Sequence, residues 1–186
     1  MVLGWVKSVS ILSVVIGTLS LLSSEAGAES AASMERAARK ALNELYETTP
    51  GAKALADDAV GVLVFPSIVK GGFVFGAQYG TGVLFKGNEA HGYYSTASAS
   101  FGLQAGVQKF GYALFFMTQE DLSWLKKSNG WELGVGPSIT IVDKGIASSI
   151  STTTAQKGVY AFFFDQRGLM AGVGLQGTKV TRIIPD

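Results

Sequence analysis

The sequence predicts an α+β domain: N-terminal helices packed on a mostly antiparallel, strongly curved or barrel-like β-sheet, with one internal helix. Three observations predict it. Between Ala31 and Thr48, the residues Met34, Ala38, Ala41, Leu42, Leu45 and Tyr46 fall on one stripe at helical spacing. From Val62 onward the pattern changes to strand-like runs, with period-two alternation over Thr96–Gln108, Trp131–Ile141 and Leu169–Leu175. The chain also carries 24 Gly against 4 Pro, many on one face of the alternating runs, where curvature and close helix approach need small residues.

The chain has 186 residues, which fits one domain. Charged residues make up 16% and hydrophobic ones 47%, so it is no disordered, highly charged chain. A net charge of +1 supplies no general field for nucleic acid. With no Cys, disulfides, thiolate catalysis and Cys-based zinc sites are excluded, and a single His leaves little for a His-rich metal centre.

Residues 1–28 read as a signal peptide. Lys7 precedes an apolar stretch from Val9 to Leu22, and Ser23-Ser24-Glu25-Ala26-Gly27-Ala28 ends in a small-x-small cleavage pattern. The alternative is an uncleaved membrane anchor, although the run falls short of the roughly 20 residues that span a bilayer. The mature chain would then start at Glu29, with residues 29–60 as a helical segment and 61–186 as the β-rich body of the same domain.

The first helix carries the i,i+4 pairs Glu35/Arg39 and Lys40/Glu44. Thr49-Pro50-Gly51 breaks it and starts a short second helix, with Pro50 at its first position. Val62-Leu63-Val64-Phe65 reads as a strand buried on both faces, with Pro66 at its end or at an edge. Phe73–Gln78 and Gly82–Lys86 read as strands divided by Tyr79-Gly80-Thr81, and Lys86-Gly87-Asn88-Glu89 as a turn. Thr96–Gln108, Trp131–Ile141 and Leu169–Leu175 each read as an alternating strand. Thr118-Gln119-Glu120-Asp121 resembles a capping box, opening the internal helix that Ser128-Asn129-Gly130 stops. Lys126 and Lys127 suit its C-terminal dipole. The stretch 108–116 echoes 156–164, either as equivalent strands of a pseudo-symmetric sheet or as coincidence among Phe-rich strands.

Several ordered motifs resemble the SYLF domain family: Gly61-Val62-Leu63-Val64-Phe65-Pro66, Lys70-Gly71-Gly72-Phe73, Tyr93-Tyr94-Ser95 with Ser98-Ala99-Ser100-Phe101-Gly102-Leu103-Gln104-Ala105-Gly106, Gly130-Trp131-Glu132-Leu133-Gly134-Val135-Gly136-Pro137, and Leu169-Met170-Ala171-Gly172-Val173-Gly174-Leu175-Gln176-Gly177. The resemblance covers about Met34 to Ile183. It implies affinity for anionic, phosphoinositide-like headgroups or a membrane surface, attributed in the family to a basic N-terminal helix. Some yeast members bind and bundle actin. A signal peptide makes cytosolic actin and inositol lipids doubtful partners for this chain, and leaves a peripheral, periplasmic or secreted role.

Four cations are the candidate lipid contacts. Arg36, Arg39 and Lys40 can share a side of the first helix; the alternative is a docking helix whose charges are solvated, since Glu35, Glu44 and Glu47 dilute the field. Lys70 precedes Gly71-Gly72, which reads either as a plain turn or as a small anion cradle. Catalysis finds little support. His91 lies in a loop-like segment, Asp57-Asp58 point apart on a helix, and Thr152-Thr153-Thr154 suits a β-branched strand. No cofactor is implied. The expected function is a non-enzymatic lipid-associating module; the alternatives are an envelope structural or protein-interaction domain and a small outer-membrane barrel. The helical start, the run Phe162-Phe163-Phe164 and the Ile184-Pro185-Asp186 terminus argue against the barrel.

Overall fold

Helix α1 spans Ala31–Thr48, and Ser30 caps it by accepting a hydrogen bond from the Ser33 N–H. Helix α2 spans Pro50–Asp58 with its proline in the first turn. A computed structural model describes residues 29–72, 75–101, 106–127, 129–142, 157–168, 175 and 177–186. Residues 1–28, which the sequence analysis reads as a leader, Thr152-Thr153-Thr154 and all of the expected strand 169–175 except Leu175 lie outside the described residues.

The strands are β1 (Gly61–Gly72), β2 (Phe75–Lys86), β3 (Glu89–Phe101), β4 (Gly106–Phe116), β5 (Trp131–Glu132), β6 (Ile139–Val142), β7 (Val159–Gly168) and β8 (Lys179–Ile183). They form one sheet in the order β5-β8-β3-β2-β1-β4-β7-β6. Only the β6–β7 pairing is parallel among the described residues. The first four strands make a Greek key, with β4 returning beside β1. A short helix α3 (Gln119–Ser123) continues as a 3-10 turn, Trp124–Lys126. Thr118 caps α3 by accepting from the Asp121 N–H, as the capping box predicts.

The sheet must curl. Laid flat, eight strands would hold their outer members about 34 Å apart at about 4.8 Å per step. Yet the two outer strands are consecutive, and the seven residue steps from Glu132 to Ile139 reach at most about 25 Å. The connection is itself folded: Gly134 and Gly136 have φ of 103° and 99°, and the Val135 N–H bonds back to Glu132. The edges therefore lie closer than a flat sheet allows, and the sheet is a strongly curled half-barrel.

Its two faces carry separate cores. On the outer face, Met34, Ala38, Ala41 and Leu45 of α1 and Ala52 and Leu55 of α2 pack on Val62, Val64, Val83, Phe85, Ala113 and Phe115. Inside the curl, Leu63, Phe65, Ile68, Tyr112, Phe116 and Trp131 pack with Leu122 and Leu125 of the internal helix. The start of β1 is thus dry on both sides. The segment preceding α1 is tied to the rest of the chain: Thr81 donates to the Glu29 carboxylate at 2.9 Å, and the Ala31 N–H points to the Asp186 carbonyl at 3.4 Å.

Five sequence expectations change. Pro66 neither ends β1 nor marks an edge. It sits in a central strand at a bulge, where the registers with β2 and β4 both shift and no ladder N–H is needed. Tyr79-Gly80-Thr81 does not divide a strand but pairs on both sides within β2. Lys70-Gly71-Gly72 is paired strand rather than a turn. The run Thr96–Gln108 falls on two strands that are not neighbours, with residues 102–105 outside the description. Trp131–Ile141 is two short strands, because its left-handed glycines leave the extended region. The echoed segments are adjacent antiparallel strands, but their equivalent residues face oppositely: Tyr112 lies inside the curl and Tyr160 beneath the helices.

Gly82 faces Val64 and Phe65 so closely that a Cβ would come within 2.5 Å of both the Val64 carbonyl and the Phe65 ring. Gly82→Ala is expected to cost about 1–3 kcal/mol, read from the urea midpoint. Burial, with the nearby Asp57 carboxylate, pushes Tyr46 up to about 12. Burial also raises Tyr112, and its hydrogen bond with Thr96 offsets part of that. Phenols in the unfolded chain ionise near 10. Above about pH 10 the unfolded state therefore loses protons first, and stability falls as pH rises. Urea midpoints measured from about pH 9.5 to 11.5 are expected to drop, with a shallower slope in Tyr46→Phe.

Candidate functional site

The three helix cations do not act as one group. Arg39 is half-buried: its guanidinium sits 4.7 Å from the centre of the Phe85 ring and 3.7 Å from Glu35. Tyr93 donates to the same Glu35 carboxylate at 2.7 Å, which raises the Tyr93 pKa through that hydrogen bond first and through burial second. Arg39 thus helps fasten α1 to β2 and β3. Arg36 and Lys40, one turn apart, face solvent on the side away from the buried stripe. Lys40 lies 3.8 Å from Glu44, with four-fifths of its side chain exposed. Among the described residues Arg36 has no ion pair. The apolar stripe of α1 is already used by the domain's own core, so no second apolar face remains on this helix for another partner.

Lys70 is elsewhere. It lies six residues beyond Val64, about 20 Å along β1, and on the opposite face. Directly opposed residues of antiparallel strands share a face. The register therefore places Ser98, Gln78, Lys70 and Gln108 in one row across β3, β2, β1 and β4, inside the curl. Gln78 donates to Thr178 at 3.1 Å. The Gln108 Oε1 is buried with no hydrogen-bond partner. The next row inward contains Thr96, Ile68 and Phe110, and Thr96 shares a 2.8 Å hydrogen bond with Tyr112. Gly71 and Gly72 are paired in the ladder on both sides, so the cradle conformation is not formed there.

Sequence reasoning missed a different group. On the outer face, beyond the reach of the helices, the register aligns Lys179, Ala97, Tyr79, Val69, Lys109 and Arg167 across β8, β3, β2, β1, β4 and β7. Val69 and Tyr79 are more than half exposed, as is Val107 in the neighbouring row. Beside the row is a cavity of about 160 Å³ lined by Pro66, Ser67, Lys109, Phe110, Asp165 and Arg167. It lies where β1 and β7 both bulge, and Asp165 there has φ 52°. The sequence did not mark it, since Val107 falls on the apolar parity of the 96–108 run and the bulges in β1 and β7 reverse the parity along the chain.

The other chemical candidates stay apart. His91 is exposed and 3.8 Å from the Glu89 carboxylate. Asp57 and Asp58 are exposed at the end of α2. Among the described residues no cluster of three His, Cys, Asp or Glu side chains could hold a metal ion, and no helix is long and apolar enough to cross a membrane.

Arg39→Ala is expected to cost about 0.5–1.5 kcal/mol through its ring contact and ion pair. Arg36→Ala should stay within about 0.5 kcal/mol of the parent. Urea unfolding of the two variants checks the contrast.

No curated protein matched the chain. A family model did: Ysc84, described as "Las17-binding protein actin regulator", over residues 97–183. That span, a little under half the chain, takes in the Ser98–Gly106, Gly130–Pro137 and Leu169–Gly177 motifs and leaves Gly61–Pro66 and Lys70–Phe73 outside. It begins in β3 and ends with the last residue of β8. The match at residues 97–183 is to the Ysc84 (SYLF) family, the one that the sequence motifs resemble.

Proposed function

We propose that this protein is an exported, non-enzymatic module that associates with anionic headgroups at a membrane surface. The Ysc84 match over residues 97–183 carries the reading, since it supports a domain of lipid- or actin-binding type at the family level. The leader-like residues 1–28 support export to the periplasm or beyond, where lipid is the more accessible of those two partners. Exposed cations on both α1 (Arg36, Lys40) and the sheet (Lys109, Arg167) supply positive charge for such a contact, and phosphoinositide-like headgroups are the most highly charged ligands of this class. Each basic residue near an anionic membrane contributes about 1 kcal/mol, so affinity of this kind is cumulative and salt-sensitive.

A second reading is an envelope protein-interaction domain. The family description names a protein partner, Las17, and this favours a protein ligand over a lipid one.

Protein recovered from the exporting host is expected to begin at Glu29. It should float with vesicles of phosphatidylcholine plus phosphatidylglycerol but not with phosphatidylcholine alone. Binding should vanish near 1 M salt, where the screening length falls to about 3 Å. Failure to float with anionic vesicles at low salt, together with recovery of an envelope protein in pull-downs, would replace this reading with the second one.

A further inference from the structure

We propose that the outer face at the helix-free end of the sheet, rather than helix α1, is the surface that lies against an anionic lipid membrane. The inference rests on the membrane reading above and assigns its contact surface. It starts from an anomaly in the fold. β1 and β2 are central strands, and their outer face is dry where the helices cover it. Past the Pro66 bulge the same face continues as Val69 and Tyr79, 53% and 57% exposed, with Val107 at 66% beside them. Contiguous exposed apolar side chains in the middle of a sheet mark an interaction surface.

Charge decides what kind of surface. Lys109 and Arg167 are directly opposed on β4 and β7, in the same row as Val69 and Tyr79. Both are exposed, and neither forms an ion pair within 4.0 Å among the described residues. Lys179 closes the other end of the row, next to Glu132 of β5. Asp165 lines the cavity beside Arg167. Among the described residues the face therefore holds three cations and two carboxylates around an apolar centre. On α1 the three cations meet three carboxylates, Glu35, Glu44 and Glu47, and the apolar stripe is buried. A peripheral membrane contact needs cations and apolar surface side by side. Of these two surfaces among the described residues, the sheet end offers both. The aromatic ring of Tyr79, between the valines and the small residue Ala97, suits the headgroup level, where amphipathic rings settle.

The test compares partitioning of the full processed chain onto phosphatidylcholine–phosphatidylglycerol vesicles by centrifugation. Three paired variants are used: Lys109→Gln with Arg167→Gln, Val69→Ser with Val107→Ser, and Arg36→Gln with Lys40→Gln. Removing the two sheet cations is expected to weaken binding about 25-fold. The serine pair should weaken it about tenfold or more, and the helix pair less than about threefold. The charge pairs alter only exposed side chains, so they remain informative if the serine pair does not fold. A larger loss from the helix pair, or equal losses from both charge pairs, would overturn the assignment while leaving membrane association standing. No binding by the parent protein would instead remove the membrane reading itself. A parent dimer in sedimentation that dissociates in the sheet variants and ignores vesicles would assign the face to a second copy of the chain.

Discussion

Two strands at opposite margins of an eight-stranded sheet are joined by six residues, and most of the molecule's shape follows from that tether. The span from Glu132 to Ile139 is too short for a flat sheet. The curl it imposes creates an inside, and the inside needs filling. Phe65, Tyr112, Phe116 and Trp131 fill it. The Trp131 indole N–H, which burial would leave costly if unpaired, donates to the Val135 carbonyl of the tether at 2.8 Å. Gly136 lies so close to the Trp124 ring that a Cβ would come within 2.5 Å. The connection that forces the curvature is therefore packed against the core that the curvature makes.

The two bulges divide this scaffold lengthwise. Before Pro66, even-numbered residues of β1 face the helices; after Ser67, odd-numbered ones face outward. A one-residue slip of this kind sends every later side chain to the other face. It is why Lys70 points into the curl with Gln78 and Gln108, while its neighbour Val69 lies bare outside. One half of the outer face is a helix-covered core and the other half is a surface, with the same strands running through both.

The helices were legible because their signals are local. The stripe of α1, the proline opening α2 and the Thr118 cap depend on residues within one or two turns. The four-residue dry run of β1 was legible for the same reason. Strand ends were not. Ala97 to Val107 alternates without a break, yet the chain leaves β3 and re-enters the sheet three places away as β4. Periodicity reports which face a residue occupies, not which strand it belongs to. Gly134 and Gly136 looked like small residues on one face of a strand, whereas their left-handed conformations make the tether. For the candidate site, Arg36 and Lys40 were readable as exposed, and the role of Arg39 depended on Phe85, 46 residues away in sequence. The row from Lys179 to Arg167 comes from six separate strands, and only the register assembles it.

The meeting of Ala31 with Asp186 sets the order in which the fold can be finished. The floor beneath α1 includes Ile183, and its first turn adjoins the final residue. During synthesis from the N-terminus, α1 therefore emerges first and completes its seat last. Closing a loop of this length carries the largest entropic delay available to the chain. Until β8 has emerged, α1 lacks part of its apolar floor, and its stripe stays open to water or to another chain.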